Sequence, residues 1–404
     1  MKIGIISDSP VLTTGYGVEV NYLAAELHRM GQQPVCLGLH QRFSGPEKDL
    51  PYPVVVPHAG SGPGFTSIGP FLVEHKPDVV LVDHALHTCR LVVDAIRDSG
   101  VRVPTLIWYT MEGAPPYKEW IRSVVLADRA VSHNRTGALE AHRVANIPVR
   151  WVPAAVDHSL FHPLERPERE RIRQVLGWSG KFVVMFLGRN MWSKQQAILI
   201  EAMSLLRRRE DRDILLYVHC KPFEQFREGG WDLVDLVNRM DLQDRVVFPD
   251  GLTDQRVGLP ASGSLEIPGV AARYASADIF CSASAVEGFG LAILEAMASG
   301  LPVLHPDDGG TMNEISADAG WRIPVHDQYL IAWGSTYVKV SPRAVANAIR
   351  DVRGVLANPT QREDWALRLQ RRASAYQWPE VARALYRELH LLLRKGQKGG
   401  WRKG

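Results

Sequence analysis

Two acids, Glu287 and Glu295, bracket the segment Glu287-Gly288-Phe289-Gly290-Leu291-Ala292-Ile293-Leu294-Glu295. The segment follows a strand-like run, Asp278–Ser282, and reads as helix from Leu291 until Gly300. Gly288 and Gly290 let the backbone come close to a ligand. The free N–H groups at the helix start, around Phe289, Gly290 and Leu291, attract an anion, ideally a diphosphate. Glu287 precedes the helix and can reach a group beyond the phosphates. Glu295 lies on the first turns, where its carboxylate can accept two hydrogen bonds from a diol such as ribose. A second set, Gly188-Arg189-Asn190-Met191-Trp192-Ser193-Lys194, also follows a strand candidate, Phe182–Leu187. Its two cations, Arg189 and Lys194, suit a diphosphate leaving group. A third set, Thr13-Thr14-Gly15-Tyr16-Gly17, stands between the first strand and the first helix. Gly15 and Gly17 there would allow a phosphate or sugar to approach, and Tyr16 sits between them.

Taken together these motifs resemble family 4 of the retaining glycosyltransferases. Glu287 to Glu295 matches the EX7E motif, Gly188-Arg189 to Lys194 matches the G-R-x4-K element, and Gly15–Gly17 corresponds to the N-terminal Gly-rich loop. The stretches Trp151–Asp157, Leu301–Leu304, Gly309-Gly310 and Trp378 fall where that family has comparable elements, so the resemblance covers most of the chain. It implies the α/β fold GT-B, two facing Rossmann-like domains with a cleft between them. It implies a nucleotide-diphosphate-sugar donor, UDP- or GDP-linked, held mostly by the second domain. Arg189, Lys194 and the helix start would stabilise the departing diphosphate. Glu287 would position the sugar, and the acceptor hydroxyl would attack from the face the nucleotide leaves. No Asp-x-Asp metal site stands out, so neither a metal nor another cofactor is expected. The pattern breaks at one place: where members often carry His-Asp after a first-domain strand, this chain has Met111-Glu112. Glu112 and His84, with His87 beside it, are the acceptor-side candidates. The acceptor itself stays open among a sugar, a lipid, a small molecule and a modified DNA base.

The elements that must carry these residues are legible as alternation. Apolar runs at Ile3–Ile6, Val35–Leu39, Val79–Asp83, Thr105–Tyr109 and Val149–Val152 alternate with helix-like stretches. A second series runs through Phe182–Leu187, Ile214–Val218, Arg245–Phe248, Asp278–Ser282 and Pro302–Leu304. Continuous apolar runs of this kind are strands buried on both faces of parallel sheets. The charged stretch Glu165–Arg173 marks a boundary. The expected division is 1–165 and 166–378, with a helix over 379–393 returning to the first domain. Pro- and Gly-rich connections are expected at 41–70 and 251–269.

Charge and composition narrow the class. Residues 394–404 hold five cations and no acid, whereas the rest of the chain sums to −2. The body is therefore not basic. The end reads as a flexible basic tail, solvated or making a weak contact with DNA or an acidic membrane. No apolar run reaches the ~18 residues a membrane helix needs, and the N-terminus reads as a strand, so a cytoplasmic protein, at most peripheral to a membrane, is expected. Cys36, Cys89, Cys220 and Cys281 are scattered without metal-ligand spacing and read as buried thiols. Rival readings are a nucleotide-sugar epimerase or sugar phosphorylase on a related fold, and a non-catalytic nucleic-acid-binding protein.

Overall fold

The computed structural model describes residues 1–40, 49–57, 62–223, 229–249 and 267–398. Most of the connection expected over 251–269, part of that over 41–70, and the last residues of the basic tail lie outside the described residues.

The chain divides into two compact units. Unit 1 comprises Met1–Ala155, Ala332–Ser335 and the chain from Tyr376 onward; unit 2 comprises Val156–Ile331 and Thr336–Ala375. Unit 1 is built on seven parallel strands, β1 (Lys2–Asp8), β2 (Gln33–Leu39), β3 (Val54–Val55), β4 (Val79–Ala85), β5 (Thr105–Thr110), β6 (Arg129–Ser132) and β7 (Arg150–Trp151), in the order β3-β2-β1-β4-β5-β6-β7. Unit 2 has six, β8 (Phe182–Leu187), β9 (Ile214–His219), β10 (Val246–Val247), β11 (Ile279–Cys281), β12 (Val303–Pro306) and β13 (Trp321–Ile323), in the order β10-β9-β8-β11-β12-β13. An antiparallel hairpin, β14 (Val325–Leu330) and β15 (Thr336–Val340), follows. Each unit is thus a Rossmann-like α/β domain with a parallel sheet, as the alternating pattern predicts.

The apolar runs form the strands because they are covered on both faces: Ile3, Ile5, Ile6, Val80, Leu81 and Val82 are wholly buried. Such burial is worth roughly 1.5–3 kcal/mol per large side chain. In both sheets the strand order reverses once, between β1 and β4 in unit 1 and between β8 and β11 in unit 2. At such a point two neighbouring strands send their chains to opposite faces, which leaves a crevice outside their carboxyl ends. All three chemistry-bearing motifs leave the sheets there.

Two local expectations change. Gly15, Tyr16 and Gly17 are not a loop but the opening residues of the helix Gly15–Arg29, capped by the Thr14 side chain accepting from Gly17 N–H at 3.1 Å. The helix expected over 379–393 runs from Trp378 to Lys398. Part of the basic stretch is therefore helical backbone rather than tail.

Candidate functional site

In unit 2 the loops after β8 and β11 are joined to each other. Ala285 N–H donates to the Ser193 carbonyl at 2.7 Å. Val338 of β15 then ties both loops to the hairpin: its N–H donates to Ala285 O at 3.1 Å, and its carbonyl accepts from Gln195 Nε2 at 3.1 Å. Gln195 holds a left-handed φ of 52°, uncommon for a residue with a side chain. Its amide also reaches Tyr329 Oη at 3.3 Å. Two more buried amides fix the same loop. Asn190 bonds the Trp231 carbonyl at 2.7 Å and accepts from Trp231 N–H at 3.1 Å, and Gln196 Nε2 donates to Arg189 O at 2.7 Å. Trp192 stacks on Tyr337, with centroids 5.3 Å apart.

This scaffold sets Lys194 against Glu287, Nζ to Oε2, at 2.7 Å. Two residues 93 positions apart, from separate motifs, meet at the reversal of strand order. Arg189 leaves the same loop as Lys194 and is exposed. Beyond Glu287 the chain passes Gly288 and turns at Gly290, whose φ of 100° suits glycine, into the helix Leu291–Ala298. Phe289 is buried, so this residue presents backbone rather than its ring. Glu295 lies on that helix with part of its surface still exposed. The protein packed around its carboxyl pushes it up to about 7, with the neighbouring Tyr274 hydroxyl pulling the other way.

In unit 1 the reversal of strand order gathers a different set. Asp8, at the end of β1, accepts from Thr14 Oγ1 at 2.6 Å and lies 2.7 Å from His40 Nδ1 and 3.3 Å from His84 Nε2. Burial alone would raise the Asp8 carboxyl, but these partners outweigh it and hold Asp8 well below the ordinary range. Tyr16 stacks on His84 at 4.3 Å and shares a hydrogen bond with Thr110 Oγ1 at 2.5 Å. Glu112 is exposed, yet its charge acts with burial to raise the Tyr16 hydroxyl. A small recess beside Glu112 is lined by His87, Met111, Trp120 and Ser335. Burial and the neighbouring His84 lower His87 to about 4, so its ring is neutral at pH 7.

His84 is therefore buried, covered by Tyr16 and engaged with Asp8, which limits it to acting through those neighbours. Gly17 serves packing: a Cβ there would lie 2.6 Å from Leu12 O and 2.7 Å from Ser9 O. Gly15 is exposed at the helix start. The residues that motif reading passed over are Asp8, Thr14, His40, Asn190 and Gln195. Asp8 and His40 did carry a signal, since each is a polar residue at the carboxyl end of an apolar strand run.

Two clusters bring together metal-ligand types, Asp8–His40–His84 and Glu19–Asp83–His133. In the first, His84 Nδ1 accepts the Ala85 N–H at 2.8 Å, so Nε2 carries the proton and points it at Asp8. In the second, Asp83 lies 3.1 Å from His133 Nε2 and Glu19 lies 3.8 Å from Nδ1. The imidazole there sits between two buried carboxyls, and burial raises both of them.

Comparison with known proteins follows the same lines. Residues 181–352 match the family model described as Glycosyl transferases group 1. The chain is 31% identical over 170 residues to mannosylfructose-phosphate synthase of Agrobacterium fabrum, covering 42% of this chain and 34% of that protein. It is 31% identical over 187 residues to a GDP-mannose-dependent alpha-mannosyltransferase of Mycolicibacterium smegmatis, covering 46% of this chain and 40% of that protein. The match thus spans less than half the length of either relative. Sucrose-phosphate synthase from Thermosynechococcus elongatus superposes with a TM-score of 0.75 at 19% identity, covering 97% of this chain and 99% of that one. That likeness establishes the fold over nearly the whole chain.

Proposed function

We propose that this chain, whose second unit carries a glycosyl transferases group 1 domain, transfers a sugar from a nucleotide-diphosphate sugar to an acceptor hydroxyl with retention of anomeric configuration. The observation that carries this reading is the Lys194–Glu287 pair at 2.7 Å, set beside a helix start at the strand-order reversal of unit 2. A cation, a carboxylate and a helix start in one place suit a diphosphate with a sugar attached to it.

In the reaction, the bond from the anomeric carbon to the phosphate oxygen breaks and the acceptor oxygen bonds to that carbon on the same face. Lys194, Arg189 and the N–H groups of Phe289–Leu291 neutralise charge gathering on the departing diphosphate. Glu287 turns from Lys194 toward the sugar hydroxyls. Glu295 accepts hydrogen bonds from the ribose. In unit 1, Tyr16 serves the donor, and Glu112 and His84, the latter through its neighbours, serve the acceptor side. The named activity of the M. smegmatis relative makes GDP-linked sugars the first donors to try, with UDP-linked sugars next.

The test is a panel of GDP- and UDP-sugars scored for thermal stabilisation and for release of nucleotide diphosphate, with and without EDTA. At least one donor is expected to stabilise the protein and to be cleaved at a rate EDTA does not change. Absence of both stabilisation and cleavage across the panel would overturn the reading. Abolition of cleavage by EDTA would overturn the metal-free diphosphate site.

A further inference from the structure

Unit 2 carries a second concave surface of about 700 Å³, within the range of ligand sites. It is lined by Trp321, Trp365, Asp318, Asp364, Arg368 and Arg371. Trp321 is the first residue of β13, which runs parallel to β12, and β12, β11 and β8 are parallel in turn. Trp321 thus stands at the amino end of the sheet. The loops with Lys194 and Glu287 leave the carboxyl ends of β8 and β11. The groove therefore opens at the opposite end of the sheet from the Lys194–Glu287 pair.

Its construction is specific. Trp365 forms the buried floor, fixed by Nε1 donating to the Ala319 carbonyl at 2.7 Å. Trp321 lies 5.7 Å from it, ring to ring, and remains partly exposed. Arg368 sits over the Trp365 ring at 5.9 Å. The groove holds two carboxylates and two guanidiniums, and none of the four makes an ion pair among the described residues. Other arginines of the same helix, Pro359–Ala373, are committed: Arg362 to Asp278 at 3.2 Å, and Arg372 to the Ile315 carbonyl at 3.0 Å. Charges of both signs are gathered in one hollow and left available.

We propose that this groove binds a neutral saccharide. Its formal charge sums to zero, which favours neither a polyanion nor a polycation. An indole face takes the apolar face of a sugar ring. Carboxylates accept from, and guanidiniums donate to, pairs of neighbouring hydroxyls. The site is not catalytic. Where the transferase reading holds, it would keep a glycan near the enzyme and raise its local concentration, but binding needs neither Glu287 nor Lys194.

The experiment titrates the full chain carrying Glu287→Gln with maltotriose, mannotriose and chitotriose, with dextran sulfate as the anionic control, following tryptophan fluorescence. At least one trisaccharide should give a saturable change. Trp321→Ala should weaken that binding by ~10-fold or more, the scale of a lost stacking and hydrogen-bonding contact. The surface pair Asp364→Ala/Arg371→Ala should weaken it similarly, with an unchanged melting temperature, which guards against misfolding of the Trp321 variant. The proposal falls if no trisaccharide saturates, if only dextran sulfate binds, or if binding survives both groove variants. Loss of donor cleavage in the Glu287 variant with groove binding intact separates this site from the transferase reading.

Discussion

At the scale of single residues, the Lys194–Glu287 contact makes the two side chains interdependent. In the proposed reaction a bound diphosphate would compete with Glu287 for Lys194 and release the carboxylate toward the sugar. Glu287→Ala should lower kcat by ~10²-fold or more while leaving donor KM within a few-fold, because the missing interaction belongs to the transition state. Steady-state kinetics would show the reverse, a raised KM with kcat intact, if Glu287 only anchored the nucleotide. Glu295 gives a pH signature. Burial raises its carboxyl from 4.5 to about 7, so the folded state holds this proton more tightly than the unfolded one. The stability this confers is present in full below pH 4.5 and is lost as pH rises through about 7. Melting temperature should fall across that window, and Glu295→Gln should flatten the fall. Donor affinity should move the other way, strengthening above pH 7 where the carboxylate is free to accept from a ribose. Glu287 and Glu295 were legible because their spacing is local and tied to one loop and helix. The Asp8–His84 contact joins residues 76 positions apart, and only the pairing of β1 with β4 brings them together.

At the scale of elements, the hairpin β14–β15 is the part the sequence concealed. Its first strand reads Val-His-Asp-Gln-Tyr-Leu, with no buried apolar run to announce it, because it pairs only with its neighbour. Yet Val338 adds to the direct Ala285–Ser193 bond by tying both loops, after β8 and β11, to one strand. Gln195→Ala would strip the Val338 carbonyl and the Tyr329 hydroxyl of a donor while keeping the left-handed backbone. Chemical denaturation should show a loss of about 1–3 kcal/mol, and kcat should drop more than donor binding as the Lys194–Glu287 register loosens. Gln195→Gly should recover about 1 kcal/mol of that loss by easing the backbone. A Gln195→Ala protein as stable and as fast as the parent would show that the hairpin does not position the pair. The helix start at Gly15 was misread for a physical reason: two glycines suggest a loop, but Thr14 caps the helix and Gly17 is needed where backbone carbonyls crowd the first turn.

At the scale of the whole molecule, the central strands of both parallel sheets were readable from alternation, since strands buried on two faces are continuously apolar, whereas β3, β6 and β13 were not. The sequence predicts one return of the chain to unit 1, over 379–393, but not the short segment Ala332–Ser335 that also belongs to it. Its sheet is finished by the helix Trp378–Lys398, where Trp378 stacks on Tyr22 at 5.4 Å and Glu388, itself buried, pairs with Arg129 and with Arg150 at 3.0 Å. Glu388→Ala removes a buried carboxylate from between a partly exposed Arg129 and an exposed Arg150, which water can screen, and should cost about 1–2 kcal/mol in a urea titration. A milder loss, below about 1 kcal/mol, would mean that water already satisfies both arginines. The same arrangement has a consequence for biosynthesis. About 220 residues separate Ala155 from Tyr376, so a ribosome working at 5–20 residues per second needs roughly 10–45 s to deliver the helix that unit 1 awaits. Throughout that interval the nascent first domain exposes the apolar seat of a partner not yet made. A chaperone that binds such surfaces would meet its client in that window, and a peptide of residues 376–398 supplied in advance should release it.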